Sequence, residues 1–170
     1  RTFSSAASDV YKRQVIQRSH ERALSSDISF KKILSLVKEL RIHNQDKPIV
    51  LMGYMNNFLS QGENLFKKIK NAGVDGLIIV DLPYEESEFF YNKLKDIDLD
   101  LIRLISPTTP KKTIEKIVKF SSGFLYYVSF RGVTGAKLSN FKEVQDNVKY
   151  IKSKTKLPVV VGFGLSLIHI

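Results

Sequence analysis

Short apolar runs alternate with amphipathic stretches from residue 28 onward. The runs are rich in β-branched residues and are bounded by turn residues, so each predicts a strand. They occupy residues 48–54, 76–81, 101–106, 124–129 and 158–163. Because the runs are continuous and do not alternate with polar residues, we expect strands that are covered on both faces, as in parallel sheets. Arg103 is the one charge in their interior.

The stretches between these runs have the spacing of helices. Apolar residues recur every three or four positions, with charged residues on the other side. The predicted apolar stripes are Phe30, Ile33, Leu34, Val37 and Leu40; Leu65, Phe66, Ile69 and Ala72; Phe89, Phe90 and Leu94; Ile114, Ile117 and Val118; and Val144, Val148 and Ile151. Gly73 is expected to end the second helix. Thr109 and Pro110 are expected to open the fourth as its N-cap and first residue.

Five strands with helices between them form a β/α repeat, which defines an α/β fold. Spacing alone does not separate a doubly wound sheet from a barrel. Polar, Gly-rich sequence follows most strands at the same end, where (β/α)₈ barrels of the TIM type place their sites. We therefore favour a TIM-type barrel. At 170 residues the chain is short for a complete barrel, which typically needs about 250.

Composition narrows the classes of function. The formal charge is +10, from 27 basic and 17 acidic residues, but the lysines are spread over many segments and form no basic stripe. This distribution is typical of solvated helix faces and argues against a nucleic-acid site. The chain has no cysteine, and no His or Cys pairs stand at ligand spacing, so we expect no metal site. No apolar run approaches the roughly 18 residues of a membrane span, and we expect a cytoplasmic protein.

Two glycine-containing loops have a chemistry of their own. Residues 132–136 (Gly-Val-Thr-Gly-Ala) follow a predicted strand and offer small side chains and free backbone amides, which suit a phosphate or a closing lid. Residues 162–164 (Gly-Phe-Gly) end the last predicted strand, where barrels commonly bind phosphate on backbone amides. A tight loop without a ligand, or a simple turn, is the alternative explanation for each.

Several of these segments together resemble the tryptophan synthase alpha chain family. They are residues 15–24 (Val-Ile-Gln-Arg-Ser-His-Glu-Arg-Ala-Leu), 48–54 (Pro-Ile-Val-Leu-Met-Gly-Tyr), 72–83 (Ala-Gly-Val-Asp-Gly-Leu-Ile-Ile-Val-Asp-Leu-Pro), 123–129 (Gly-Phe-Leu-Tyr-Tyr-Val-Ser), 132–136 and 158–164 (Pro-Val-Val-Val-Gly-Phe-Gly). The motifs occur in the family's order and spacing. The resemblance implies a TIM-type barrel of which this chain holds strands three to seven of eight, left open.

The resemblance also implies roles for individual residues. Thr134 would hydrogen-bond a catalytic Asp when the lid closes, and Gly135 would offer its amide to the substrate phosphate. Phe163 and Gly164 would border the glycerol phosphate. Tyr54 and Tyr126 would line the pocket near the catalytic carboxylates, and Met52, Ile78 and Ile105 would surround the indole ring. Asp81 and Pro83 would face a partner subunit; for Asp81, a capping role at a strand end is the alternative.

The family's chemistry is a retro-aldol cleavage of indole-3-glycerol phosphate to indole and glyceraldehyde 3-phosphate by a Glu and an Asp. The family's Asp-Gly-Pro motif aligns with Lys12, Arg13 and Gln14, none of which matches, and nothing before it resembles the strand that carries the Glu. We therefore expect no catalytic residue in this chain and no activity. We also expect residues 1–14 and 167–170 to be foreign sequence around a partial barrel domain at 15–166; natural divergence of the two ends is the alternative.

The family works with a beta chain, to which it passes indole and which holds the pyridoxal phosphate, so no cofactor of this chain's own is expected. Two alternatives stay open. One is another phosphate-binding TIM barrel, such as indole-3-glycerol-phosphate synthase or a phosphosugar isomerase. The other is a non-catalytic module that binds a phosphorylated ligand or the beta chain.

Overall fold

The structure, a computed structural model, describes residues 18, 21–22, 29–60, 62, 64–128 and 141–162. Within them, helices and strands alternate along the chain. The strands are β1 (Val50–Gly53), β2 (Gly76–Ile79), β3 (Asp100–Ile105), β4 (Leu125–Val128) and β5 (Val159–Gly162). The helices are α1 (Phe30–His43), α2 (Met55–Leu59), α3 (Leu65–Asn71), α4 (Ser87–Lys95), α5 (Lys111–Lys119) and α6 (Phe141–Lys154).

The five strands form one sheet in the order β1-β2-β3-β4-β5, and every pairing is parallel. The predicted strands are confirmed, each within two residues at either end, and so is the parallel sheet. Among the described residues β1 and β5 do not pair with each other, so the sheet is open, as predicted for part of a barrel. Short helix α2, which follows β1, has no counterpart in the sequence prediction.

One face of the sheet packs against the helices. Near β1–β3, Leu77, Ile79 and Leu101 are buried against helix residues such as Phe66 and Phe90. Near β3–β5 a second cluster forms; its buried members are Ile105, Ile114, Ile117, Leu125, Tyr127 and Ile151. We call this side the helix face. The predicted stripes of α3, α5 and α6 lie on it, whereas Leu40 and Phe89 of the predicted stripes are exposed by 45% and 64%.

The opposite side, which we call the inner face, carries the alternate residues of each strand. Met52 pairs in register with Ile78, and Ile78 with Ile102; Tyr126 pairs with Leu104 on one side and Val160 on the other. Burial on this face depends on position in the sheet. Ile78 and Ile102, in central strands, are 6% and 1% exposed, whereas Met52 and Val160, in the edge strands, are 59% and 44% exposed. The expectation that both faces are covered is therefore correct for the centre and wrong for the edges, which have no neighbouring strand among the described residues.

The ends of two helices show how the chain turns into the next strand. Gly73 follows α3 with a φ of 98°, and the amides of Gly73 and Val74 bond the carbonyls of Lys70 and Ile69, the Schellman arrangement. The predicted terminator is confirmed. The prediction for α5 was wrong by one residue: Pro110, in extended conformation, is the N-cap, and the Thr109 hydroxyl instead accepts from the Ser106 amide.

Arg41 connects the amino end of the sheet to the end of α1. Its Nη1 donates to the carbonyls of Lys47 (2.7 Å), Asn44 and Gln45, its Nε donates to the Gly73 carbonyl at 2.6 Å, and its Nη2 pairs with the Asp75 carboxylate. That carboxylate also accepts from the Ile49 amide at 2.6 Å. One guanidinium thus fixes the segments that lead into β1 and β2.

Candidate functional site

The inner face presents a mostly apolar wall near the carboxyl ends of the strands. Met52, Ile78 and Tyr126, three residues predicted for the pocket, all lie on it. Tyr126 is half-buried, and its neighbour Tyr127 is 1% exposed on the helix face, where its hydroxyl accepts from Asn147 at 3.0 Å. Strand alternation therefore separates two adjacent tyrosines into a wall residue and a core residue.

Ile105 is on the wrong side of the sheet for the predicted pocket. It is 1% exposed and packs in the helix-face cluster with Ile114 and Ile117. Leu104, one residue earlier, pairs in register with Tyr126 and lies on the inner face. Because successive side chains of a strand point to opposite faces, only one of these two residues can face the pocket. Leu104 replaces Ile105 in the wall, and sequence reasoning missed it because the run shows no polar alternation.

Gly162 leaves room for the Tyr126 ring at the end of β5. A Cβ built at Gly162 would overlap the hydroxyl and the Cζ of the Tyr126 ring. The same two residues lie on neighbouring strands, with Tyr126 paired to Val160 and Val128 paired to Gly162. A glycine at the start of the predicted Gly-Phe-Gly loop therefore has a role in the described structure: it leaves the space that the tyrosine ring occupies.

Tyr54 directly follows β1 and is the N-cap of α2, with 60% of its surface exposed. Its amide donates to the Asn57 side chain at 3.0 Å. Next to it, the Met55 amide donates to the Asp81 carboxylate at 2.6 Å. Asp81 thus joins the loop after β2 to the start of α2. Its predicted role at a partner interface stays a prediction.

The loop at residues 81–83 exposes two of its three side chains. Asp81 and Pro83 are exposed, and Leu82 between them is 6% exposed. The Ser87 hydroxyl donates to the Pro83 carbonyl at 3.2 Å, and Nη2 of Arg103 donates to the Leu82 carbonyl at 2.7 Å. Desolvation lowers the pKa of Arg103 to about 10, so the guanidinium keeps its proton at neutral pH.

Four predicted site residues, Thr134, Gly135, Phe163 and Gly164, lie outside the described residues. Within the part of the chain that the structure describes, no three His, Cys, Asp or Glu side chains gather as metal ligands. The helices of that part include none that is long and apolar enough to cross a membrane.

The described wall is mostly apolar, and none of the residues assigned to it carries a carboxylate or an imidazole. They are Met52, Ile78, Leu104 and Tyr126. Asp81, in the loop after β2, accepts from the Met55 amide. Asp100, also in the sheet, starts β3 at the amino end. A ligand pocket of this kind is mostly hydrophobic with a few polar groups to orient the ligand.

An open run of β/α units with its candidate site at the carboxyl ends of parallel strands places the chain in the TIM-barrel class. Solved structures agree. A tryptophan synthase α₂β₂ complex from Pyrococcus furiosus matches with a TM-score of 0.79 and 34% identity, covering 90% of this chain and 62% of that one. The tryptophan synthase subunit alpha of Legionella pneumophila matches with a TM-score of 0.75 and 35% identity, covering 89% and 55%.

Sequence comparison identifies the family. The sequence model of the tryptophan synthase alpha chain matches residues 8–169. The tryptophan synthase alpha chain of Janthinobacterium sp. (strain Marseille) is 48% identical over 152 residues, which are 89% of this chain and 57% of that protein. That of Nitrosomonas europaea is 43% identical over 151 residues, 88% and 55% of the two chains. The chain belongs to the tryptophan synthase alpha chain family.

The chain spans a little over half the length of these relatives. The family match reaches past the predicted domain boundaries at residues 15 and 166. The foreign origin of residues 1–14 and 167–170 stays a prediction.

Proposed function

We propose that this chain is part of a lyase that cleaves indole-3-glycerol phosphate to indole and glyceraldehyde 3-phosphate in tryptophan biosynthesis. Family membership supports this proposal, and so does the apolar wall on the inner face, which is the single structural observation that carries it. Met52, Ile78 and Leu104 offer the flat hydrophobic surface that an indole ring requires. Tyr126 pairs in register with Leu104 and adds a hydroxyl group, which lies next to Gly162.

We further propose that the chain as given is inactive. A retro-aldol cleavage needs a general acid and a general base, and each such group typically contributes about 10²–10⁴ in rate. The residues assigned to the described wall include no carboxylate, and Lys12, Arg13 and Gln14 stand where the Asp motif would be. Thr134, Gly135, Phe163 and Gly164 are assigned to the lid and to the phosphate site in the same proposal.

A partner subunit completes the proposal. One structural relative is described as the tryptophan synthase α₂β₂ complex. We infer that the whole protein binds a beta chain through a surface that includes Asp81 and Pro83, both exposed beside the wall. Pyridoxal phosphate would belong to that beta chain, and the alpha chain would use no cofactor of its own. The protein would act in the cytoplasm.

Indole release from indole-3-glycerol phosphate tests the proposal in two arms. The first arm is the 170-residue chain, for which we expect no release above background, with and without beta chain. The second is the same chain with the family's strand two, Asp-Gly-Pro segment and strand eight restored, for which we expect turnover. Turnover in the first arm would contradict the inactivity, and no turnover in the restored, folded chain would contradict the assignment of the reaction.

Two substitutions in the restored chain test the wall and leave the restored carboxylates unchanged. Leu104→Ala is expected to raise KM, because the ring loses an apolar contact, whereas Lys38→Met on the outer surface of α1 is expected to change nothing. Equal KM and kcat values for Leu104→Ala and the parent chain would show that the wall is not part of the substrate-binding site.

A further inference from the structure

Arg103 is the one charged residue that is buried in the described part of the chain. It is 5% exposed, in the middle of β3 and on the helix face. Its Nη2 donates to the Leu82 carbonyl, whereas Nε and Nη1 have no hydrogen-bond partner there. A buried cation with two unpaired donors destabilises the folded state relative to an apolar side chain of the same size. The fold alone gives no reason for an arginine at this position.

Among the described residues, the one group that Arg103 contacts through a hydrogen bond belongs to the loop at residues 81–83. Leu82 lies between the two exposed residues of that loop, Asp81 and Pro83. Three other hydrogen bonds hold the same loop: Asp81 accepts from the Met55 amide, the Leu82 amide donates to the Ile79 carbonyl at 3.3 Å, and Ser87 donates to the Pro83 carbonyl. Ser87 is near Pro83 in sequence, whereas Arg103 comes from the next strand. Its hydrogen bond therefore fixes the position of the loop relative to the sheet.

We propose that Arg103 is a positioning residue that fixes the 81–83 loop in the arrangement its partner protein binds, at a cost in stability. This inference rests on the proposed function, because it takes the partner to be a tryptophan synthase beta chain. The guanidinium acts through the Leu82 carbonyl, holding Asp81 over the start of α2 and keeping Pro83 exposed. A hydrogen bond from a charged donor is stronger than one between neutral groups, which suits a loop that must keep one position.

Arg103→Met separates positioning from stability. Methionine fills a similar volume, removes the unpaired donors and cannot hold the Leu82 carbonyl. We expect a thermal midpoint within about 3 °C of the parent chain or above it. Hydrogen exchange at the amides of Leu82 and Met55 should become about tenfold faster or more, because the loop opens more readily. Met55 does not touch Arg103, and its amide reports on Asp81 alone.

The other end of β3 supplies the control within the same molecule. The Leu101 amide donates to the Ser122 hydroxyl at 2.9 Å, and the Ser122 amide donates to the Leu101 carbonyl at 3.0 Å. We expect exchange at these two amides to stay unchanged in Arg103→Met. Equal acceleration at both ends of the strand, or unchanged exchange at Met55, would overturn the proposal.

Arg103→Lys keeps the charge on a shorter stem and serves as the conservative variant. It should restore part of the protection at Leu82 and Met55 if the charged donor matters, and it decides the question if Arg103→Met does not fold. Protection no better than in the methionine variant would count against the proposal.

Affinity for purified beta chain completes the test. We expect about tenfold weaker binding for Arg103→Met and an intermediate value for Arg103→Lys. Unchanged affinity in Arg103→Met would overturn the inference. If the parent chain does not bind beta chain, the proposed partner is wrong, and the exchange rates alone decide whether Arg103 positions the loop.

Discussion

The two ends of the sheet use arginine in opposite ways. At the amino end, Arg41 donates to four backbone carbonyls and pairs with Asp75. Closer to the carboxyl end, in the middle of β3, Arg103 is more deeply buried, yet within the described residues it donates to one carbonyl and leaves Nε and Nη1 without partners. The same side chain is fully bonded where the strands begin and only partly bonded near the loops that follow them.

The difference agrees with the general pattern in barrels of this class. The functional site lies at the carboxyl ends of the strands, and residues at the amino ends contribute mainly to stability. Arg41 joins the segments that precede β1 and β2, and each of its three guanidinium nitrogens has a hydrogen-bond partner. Near the carboxyl ends, Gly162 leaves room for a tyrosine and Arg103 holds a loop at the expense of its own hydrogen bonds. Changes at Arg41 should therefore affect mainly folding, and changes at the other end mainly binding.

Arg41→Met should give the largest loss of stability. Four backbone carbonyls and the Asp75 carboxylate would lose their donor, and we expect unfolding to become easier by about 2–4 kcal/mol, discounted for the partial exposure of the pair. Urea unfolding followed by circular dichroism measures this. Lys38→Met, in the same helix and exposed, is the control and should cost little. A loss no larger than the control's would break the comparison, because the amino end would then not be where stability is concentrated.

Gly162→Ala should lower stability less than Arg41→Met does, and it should disturb the inner-face site more. The added methyl overlaps the Tyr126 ring, which must move, and overpacking of this kind typically costs about 1–3 kcal/mol. Tyr126→Leu in the same chain should relieve the overlap, so the two changes should be non-additive in unfolding free energy. Strict additivity would show that the ring does not lie over Gly162.

The smallest effect is expected at a surface cluster that belongs to neither end. The Glu115 carboxylate accepts from Lys154 at 2.8 Å and from the Tyr150 hydroxyl at 3.1 Å, joining α5 to α6. These two hydrogen bonds, that of Lys154 first, lower the pKa of Glu115. The contribution of Glu115 to stability is therefore fully present at pH values above the usual pKa of a glutamate. It is lost as the pH falls through the lowered pKa.

Lys154→Met should raise the pKa of Glu115 toward its usual value, as followed by NMR titration, with almost no change in thermal midpoint, because exposed pairs contribute little. A large fall in the thermal midpoint would mean that exposed ion pairs stabilise this fold more than the hydrogen bonds of Arg41 do.

The sequence predicts the sheet well because long buried runs are a strong signal. All five strands, their parallel pairing and the Gly73 helix end are confirmed. The face of each residue is harder to predict, since a run such as that of β3 has apolar residues on both sides and no polar alternation to set the phase. The family resemblance assigns Ile105 to the pocket, and without polar alternation the sequence gives no sign of the wrong face; the register with Tyr126 identifies Leu104.

Contacts between segments distant in sequence were beyond prediction. Arg103 is conspicuous as a charge in an apolar run, but its hydrogen bond to Leu82 depends on the approach of the loop after β2 to the next strand. The fit of Gly162 to the Tyr126 ring likewise joins two strands. Short helix α2 was missed because five residues are too few to show helical periodicity.

The most direct test of this account is methyl NMR of the chain titrated with indole. If the inner face is the ligand wall, the methyl signals of Met52, Ile78 and Leu104 should shift with increasing indole. The signal of Ile105, on the helix face, should stay in place. Shifts at Ile105 without shifts at Leu104 would contradict the assignment of the inner face as the substrate-binding wall.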